Sequence, residues 1–137
     1  METKQVIIIR TDTEPKMRKG KMIAQGAHTP TKMLCDGYGG IELDENGDEE
    51  YVIRISKKRD PYVFAWMTEI FKKIVVKGEL SDLVTAFQKA KMEGITCTLI
   101  EDKGLTEFGG EVTITACAIG PDDPKKIDKI TGHLELL

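Results

Sequence analysis

Lys21, Gln25 and His28 stand four and then three residues apart in Lys19-Gly20-Lys21-Met22-Ile23-Ala24-Gln25-Gly26-Ala27-His28. On a helix that spacing sends all three side chains from one side. A second polar group, Asp102-x-Gly104-x-Thr106, puts a carboxylate beside a glycine turn with a hydroxyl four residues on. α/β enzymes place reacting groups at such points, at the carboxyl end of a strand. A third stretch, Thr113-x-Thr115, carries two hydroxyls on one face of a predicted strand. Each pattern has a plainer reading. Polar residues four apart are commonly a solvated helix face, and Asp-x-Gly-x-Thr is ordinary turn chemistry.

The elements that must position these residues can be read from the same chain. Val6-Ile7-Ile8-Ile9 is a run of four β-branched residues, the pattern of a strand buried on both faces. A polar loop broken by Pro15 leads to a helix from about Lys19. Pro30 must either kink that helix or stand first in a second short one capped by Thr29. Residues 36 to 59 read as an excursion approached through Gly37, Gly39 and Gly40. Ile41-Glu42-Leu43 and Tyr51-Val52-Ile53-Arg54-Ile55 alternate like strands around the acidic tip Glu45-Asn46-Gly47-Asp48. A solvent-exposed β-hairpin at about 41–56 is expected, with Asn46-Gly47 at its turn, and a disordered acidic loop is the competing view. Asp60-Pro61 starts a helix holding Val63, Phe64, Trp66, Met67 and Ile70 as packing residues. Ile74-Val75-Val76 is a second strand. Ser81 caps a helix over 82–93 that ends at Gly94, Thr96 to Ile100 and Val112 to Ile119 are two more strands, and Asp123-Pro124 opens a last helix ending near Gly132. The expected fold is α/β: a single three-layer α/β/α domain over residues 1–137, built on a mixed, mainly parallel four-stranded sheet with an inserted hairpin. The last two strands are joined by too few residues for a helical crossover, so they should be antiparallel or separated.

Composition narrows the function classes. Three cysteines, Cys35, Cys97 and Cys117, lack CxxC spacing, which argues against a disulfide framework, and the two in predicted strands read as buried thiols rather than nucleophiles. With no apolar leader and no membrane-length apolar run, a cytoplasmic protein is expected. The net charge of −3 conceals an uneven distribution. Residues 1–35 carry seven basic and three acidic side chains, whereas residues 36–50 carry seven acidic and no basic ones. Lys16, Arg18, Lys19 and Lys21 therefore form a basic patch that either meets phosphates or remains a solvated turn. No GxGxxG or GxxxxGK[ST] run follows a strand, which weakens a nucleotide-binding reading.

Taken together, the chain resembles the peptidyl-tRNA hydrolase type 2 family over nearly its whole length. The resemblance rests on Gly20-Lys21, Ala24-Gln25-x-Ala27-His28, Trp66 before Lys73-Ile74-Val75-Val76-Lys77, and Glu79-Leu80. It continues through Asp102-x-Gly104-x-Thr106, Thr113-x-Thr115, Ala118-Ile119-Gly120-Pro121 and Thr131-Gly132-His133-Leu134-x-Leu136. It implies hydrolysis of the ester between a peptide and the terminal ribose of tRNA, in a cytoplasmic homodimer that needs no metal or other cofactor and has no membrane or DNA partner. The functional set it implies is Lys21, Gln25, Asp102, Thr106 and Thr115. Such a reaction needs a placed water and donors for an oxyanion. Asp102 would orient or activate the water, and Lys21 would supply positive charge to the oxyanion or a phosphate. Gln25, Thr106 and Thr115 would complete the hydrogen bonds. His28 and His133 match positions that look structural, and packed neutral rings are expected for both. The chain departs from the family at Lys103 and Leu105, where an arginine is usual, in Phe108-Gly109-Gly110-Glu111, which holds about one extra residue, and in its long acidic hairpin. Those departures leave a non-catalytic protein- or RNA-binding relative as the alternative.

Overall fold

The structure is a computed structural model that describes residues 1–104 and 108–137. Ten elements follow in the order β1 (Lys4–Arg10), α1 (Lys19–Tyr38), β2 (Gly39–Leu43), β3 (Glu49–Ile53), α2 (Pro61–Thr68), β4 (Lys73–Gly78), α3 (Leu80–Met92), β5 (Cys97–Asp102), β6 (Thr113–Asp122) and α4 (Pro124–Thr131).

The four-stranded sheet runs β4-β1-β6-β5, with the apolar β1 inside it. It is mixed, as expected: β4, β1 and β5 run in one direction, and β6 between β1 and β5 runs against them, so β1 and β4 form the one parallel pair. The physical reason is the short β5 to β6 connection, which cannot carry a crossover.

Alternation along β1 divides the core into two layers. Val6 and Ile8 pack with Val76, Leu83, Cys117, Ile119 and Ile127 under α3 and α4. Ile7 and Ile9 pack on the other face with Met17, Ile100, Phe108, Ala116 and Ala118, joined by Met22 of α1. Helices thus cover both faces. Trp66 of α2 is 2% exposed and donates from Nε1 to the Lys72 carbonyl at 2.9 Å, a packing role as read from sequence.

Helix α1 runs unbroken through Pro30, neither ending nor restarting there. Proline has no N–H for the carbonyl four residues back, which is that of Gly26. The Thr29 hydroxyl supplies the missing donor to that oxygen at 2.7 Å. The helix also takes in Gly37, placed in the flexible approach from sequence, and the chain turns straight into the hairpin. There β2 and β3 pair antiparallel around Asp44–Asp48. Gly47 alone adopts positive φ (+82°), and the Asp44 carboxylate accepts from the amides of Asn46 and Asp48. The turn is a type I turn closed by a glycine bulge, not a two-residue Asn-Gly turn.

Helix termini differ from the sequence reading in three places. Helix α2 stops at Thr68, leaving Ile70 exposed. Asp60 turns its carboxylate back to the Ser56 amide and the Arg59 guanidinium instead of capping α2. Helix α3 begins at Leu80, ahead of Ser81, because the Asp82 carboxylate bonds the Glu79 amide at 2.9 Å. By contrast, Asp123 caps α4 through Lys125 N, and Gly94 closes α3 at φ +69°, as expected. The two sheet edges are treated differently. The carboxyl-terminal segment bonds along β4 (Lys77 N to Glu135 O, Leu137 N to Val75 O), while β5 has no strand on its outer side among the described residues.

Candidate functional site

The carboxyl ends of β1 and β5, the amino end of β6 and the start of α1 meet at one end of the sheet. Asp102 is the last residue of β5, and Lys21 and Gln25 lie one turn apart on the inner side of α1. The Lys21 ammonium forms an ion pair with Asp102 Oδ2, and Gln25 Nε2 donates to the same oxygen at 3.3 Å. The backbone amide of Gly104 donates to Asp102 Oδ1 at 2.6 Å. Thr115 donates its hydroxyl proton to Gln25 Oε1. This last bond fixes the amide: turned over, Gln25 would aim its oxygen at the Asp102 carboxylate.

The network is mostly sealed. Thr115 is fully buried and Gln25 is 3% exposed, whereas the Lys21 and Asp102 side chains keep 14% and 11% of their surface open. The charged pair is therefore what a substrate can reach. Lys21 Nζ also lies 5.7 Å from the centre of the Phe108 ring, which roofs the pair from the β5 to β6 connection.

Hydrogen bonding from Lys21 holds the Asp102 carboxyl below its ordinary value of 3.8, against the opposing effect of burial. The Gly104 amide and the charges of Lys21 and His28 pull the same way. Asp102 is thus an ionised carboxylate with three of its roughly four lone-pair directions taken. What remains suits one water. A depressed pKa makes it a weak proton acceptor, so orienting that water is its stronger contribution.

Thr115 reaches Gln25 because the strand is irregular. Ile100 faces Ala116, but the next residue, Glu101, faces Ile114, so Thr115 is skipped in the pairing. Such a bulge re-aims a side chain that strict alternation would send to the other face.

Of the residues picked from sequence, Lys21, Gln25, Asp102 and Thr115 converge. Thr106 and Leu105 lie outside the described residues. Lys16, Arg18 and Lys19 are exposed beside the start of α1, while Lys21 folds inward onto Asp102. His28 and His133 are both exposed, contrary to the packed rings expected of them: His28 faces the open groove beside β5, and His133 lies in the turn after α4. Burial raises the thiol pKa of both Cys97 and Cys117, which leaves neither a ready nucleophile.

Three residues near the site take roles that the sequence reading does not assign them. Gly104 has φ +74°, and a Cβ there would stand 2.4 Å from the Glu111 carbonyl, so the amide that holds Asp102 depends on glycine. Phe108 figures in the sequence only as part of an insertion, although an aromatic residue beside two glycines is a usable signal. Asp12 accepts from Arg10 Nε at 2.7 Å and from the first amide of α3, Leu80 N, at 3.1 Å, tying β1 to that helix. Among the described residues no group of three histidine, cysteine or acidic side chains could hold a metal.

With this geometry in place, comparisons with known proteins carry the assignment further. The family model described as "Peptidyl-tRNA hydrolase PTH2" matches residues 3–137. A peptidyl-tRNA hydrolase of Methanocaldococcus jannaschii is 39% identical over 98% of this chain and 99% of its own. One from Staphylothermus marinus is 39% identical over 99% of this chain and 96% of its own. A solved structure of a protein of unknown function from Agrobacterium tumefaciens covers 100% of this chain and 98% of its own, with a TM-score of 0.57 at 15% identity. That likeness speaks for the fold alone.

Proposed function

Since this chain belongs to the peptidyl-tRNA hydrolase PTH2 family and is a hydrolase of that class, we propose that Lys21, Gln25 and Asp102 form its catalytic centre, with Thr115 positioning Gln25. The observation that carries this reading is the Lys21–Asp102 pair, mostly buried yet open to substrate at the strand end. Peptidyl-tRNA is the substrate. Asp102 holds a water against the ester carbonyl. As the water oxygen bonds to that carbon, negative charge grows on the carbonyl oxygen, where the Lys21 ammonium and the free Gln25 N–H can meet it. The carbon–oxygen bond to the ribose then breaks, and the proton lost by the water ends on the ribose oxygen. Thr106 belongs to the same proposal on the resemblance alone.

The exposed Lys16, Arg18 and Lys19 lie beside this centre, and we assign them to tRNA phosphates. A single cytoplasmic domain acting as a homodimer completes the proposal. No described helix is long and apolar enough to cross a membrane.

The direct test is release of peptide from purified peptidyl-tRNA by the native chain and by Asp102→Asn. The native chain should cleave, and the variant should lose on the order of a hundredfold while still binding tRNA. A folded native chain that bound peptidyl-tRNA without cleaving it would contradict the proposal. A variant of undiminished rate would remove Asp102 from the centre.

A further inference from the structure

Strand β5 ends in the catalytic carboxylate, and its outer edge is unpaired among the described residues. A groove of about 720 Å³ lies along this strand, floored by Cys97 to Glu101 and walled by His28 and Lys32 of α1 and by Phe87 and Lys91 of α3. Helix α1 runs beside β5 in the opposite direction. Lys21 meets Asp102 at one end of the strand, and the Tyr38 hydroxyl lies 3.2 Å from Thr96 Oγ1 at the other. The groove therefore leads out of the catalytic centre.

The main-chain groups at that edge can be identified. Gly120 N donates to Thr96 O at 2.6 Å, and Cys97 faces Ile119 in the antiparallel register. Alternation in such a ladder then turns Thr98 and Ile100 toward β6 and points the N–H and C=O of Cys97 and Leu99 outward. No bond to either of these groups from outside the sheet is found among the described residues. Open edges are usually blunted, as the carboxyl-terminal segment blunts β4 here.

We propose that the β5 edge is the subsite for the peptide part of the substrate, which adds to the sheet as an extra strand. This inference rests on the hydrolase reading above. With its ester at Asp102 the peptide must run toward Thr96 from its carboxyl end, parallel to β5. At about 3.3 Å per residue the strand accommodates roughly six peptide residues. Main-chain hydrogen bonds give affinity without reading side chains, so such a subsite would accept peptides of many sequences.

The test leaves the protein unaltered and varies the substrate. Peptidyl-tRNAs with one to eight residues are compared, followed by hexapeptidyl-tRNAs N-methylated at alternate amides in either register. kcat/KM should climb with length and level off near six residues. N-methylation in the edge-facing register should cost about two- to tenfold per lost bond, and in the other register little. The Cys97 and Leu99 amides should also become protected from hydrogen exchange when a hexapeptide joined by an amide to 3′-amino-adenosine is added. Cleavage that is indifferent to length and methylation, or equally sensitive in both registers, would overturn the subsite and leave the hydrolase assignment standing. If no peptidyl-tRNA is cleaved at all, the hydrolase reading fails and the subsite falls with it.

Discussion

At the scale of single residues, Asp102 sets the expected pH response. Hydrogen bonding from Lys21 lowers its folded-state pKa below 3.8, so its ionised form is favoured by folding. The stability this contributes is present above the unfolded value and is lost as pH falls through the folded one. No acid limb in kcat/KM from Asp102 is therefore expected between about pH 8 and pH 5, and Lys21→Ala should move the Asp102 titration upward, as read by carboxyl carbon NMR. A titration unmoved in that variant would mean that the pair is not made in solution. Thr115 gives a second prediction. Thr115→Val keeps the shape but strands the buried Gln25 oxygen, which should cost about 1–3 kcal/mol in urea unfolding. It should also slow kcat several-fold, with Thr115→Ser restoring both. A lost hydroxyl that affected stability but not kcat would make Thr115 purely structural. Lys21, Gln25 and Asp102 were marked out by the family resemblance, because their spacing alone fits a solvated helix face and an ordinary turn equally well. Gly104 was legible only as a turn, since its role lies in an amide that every residue but proline possesses.

At the scale of elements, the strand order along the chain and the alternation of β1 were readable because burial on both faces leaves a continuous apolar run. The bulge that turns Thr115 was not, because a skipped pairing depends on the partner strand and leaves no local pattern. The same holds for α1. Pro30 raised the correct question, but the answer lay in whether the neighbouring hydroxyl could replace a backbone donor. This yields a double-mutant prediction. Thr29→Val should destabilise the protein by about 1–2 kcal/mol by orphaning the Gly26 carbonyl. In a Pro30→Ala background, where residue 30 regains its N–H, the same change should cost clearly less. Equal costs in both backgrounds, measured by denaturant unfolding, would show that the hydroxyl does not serve that carbonyl. Continuity of α1 matters for function, since the helix carries Lys21 and Gln25 at one end and lines the β5 groove along its length.

For the whole molecule, α1 also separates two regions of opposite charge. The acidic hairpin leaves the helix at Tyr38, some 17 residues beyond Lys21, or about 25 Å along the axis. That is more than twice the Debye length of about 8–10 Å at physiological salt. The root of the hairpin therefore lies well beyond screening range of Lys21, which the charge sequence by itself could not reveal. The basic residues at 16, 18 and 19, which we assign to tRNA phosphates, lie at the Lys21 end of α1, and the open β5 edge, our proposed peptide subsite, runs away from it. The central claim is that Lys21 and Asp102 act as one unit on the ester. Single-turnover peptide release should therefore be measured for the native chain, Lys21→Ala, Asp102→Asn and the double variant. Each single change should cost on the order of a hundredfold, and the double variant little more than the worse single one, since residues acting as a unit are strongly non-additive. Losses that multiply in the double variant would contradict the account, because the two side chains would then be working independently.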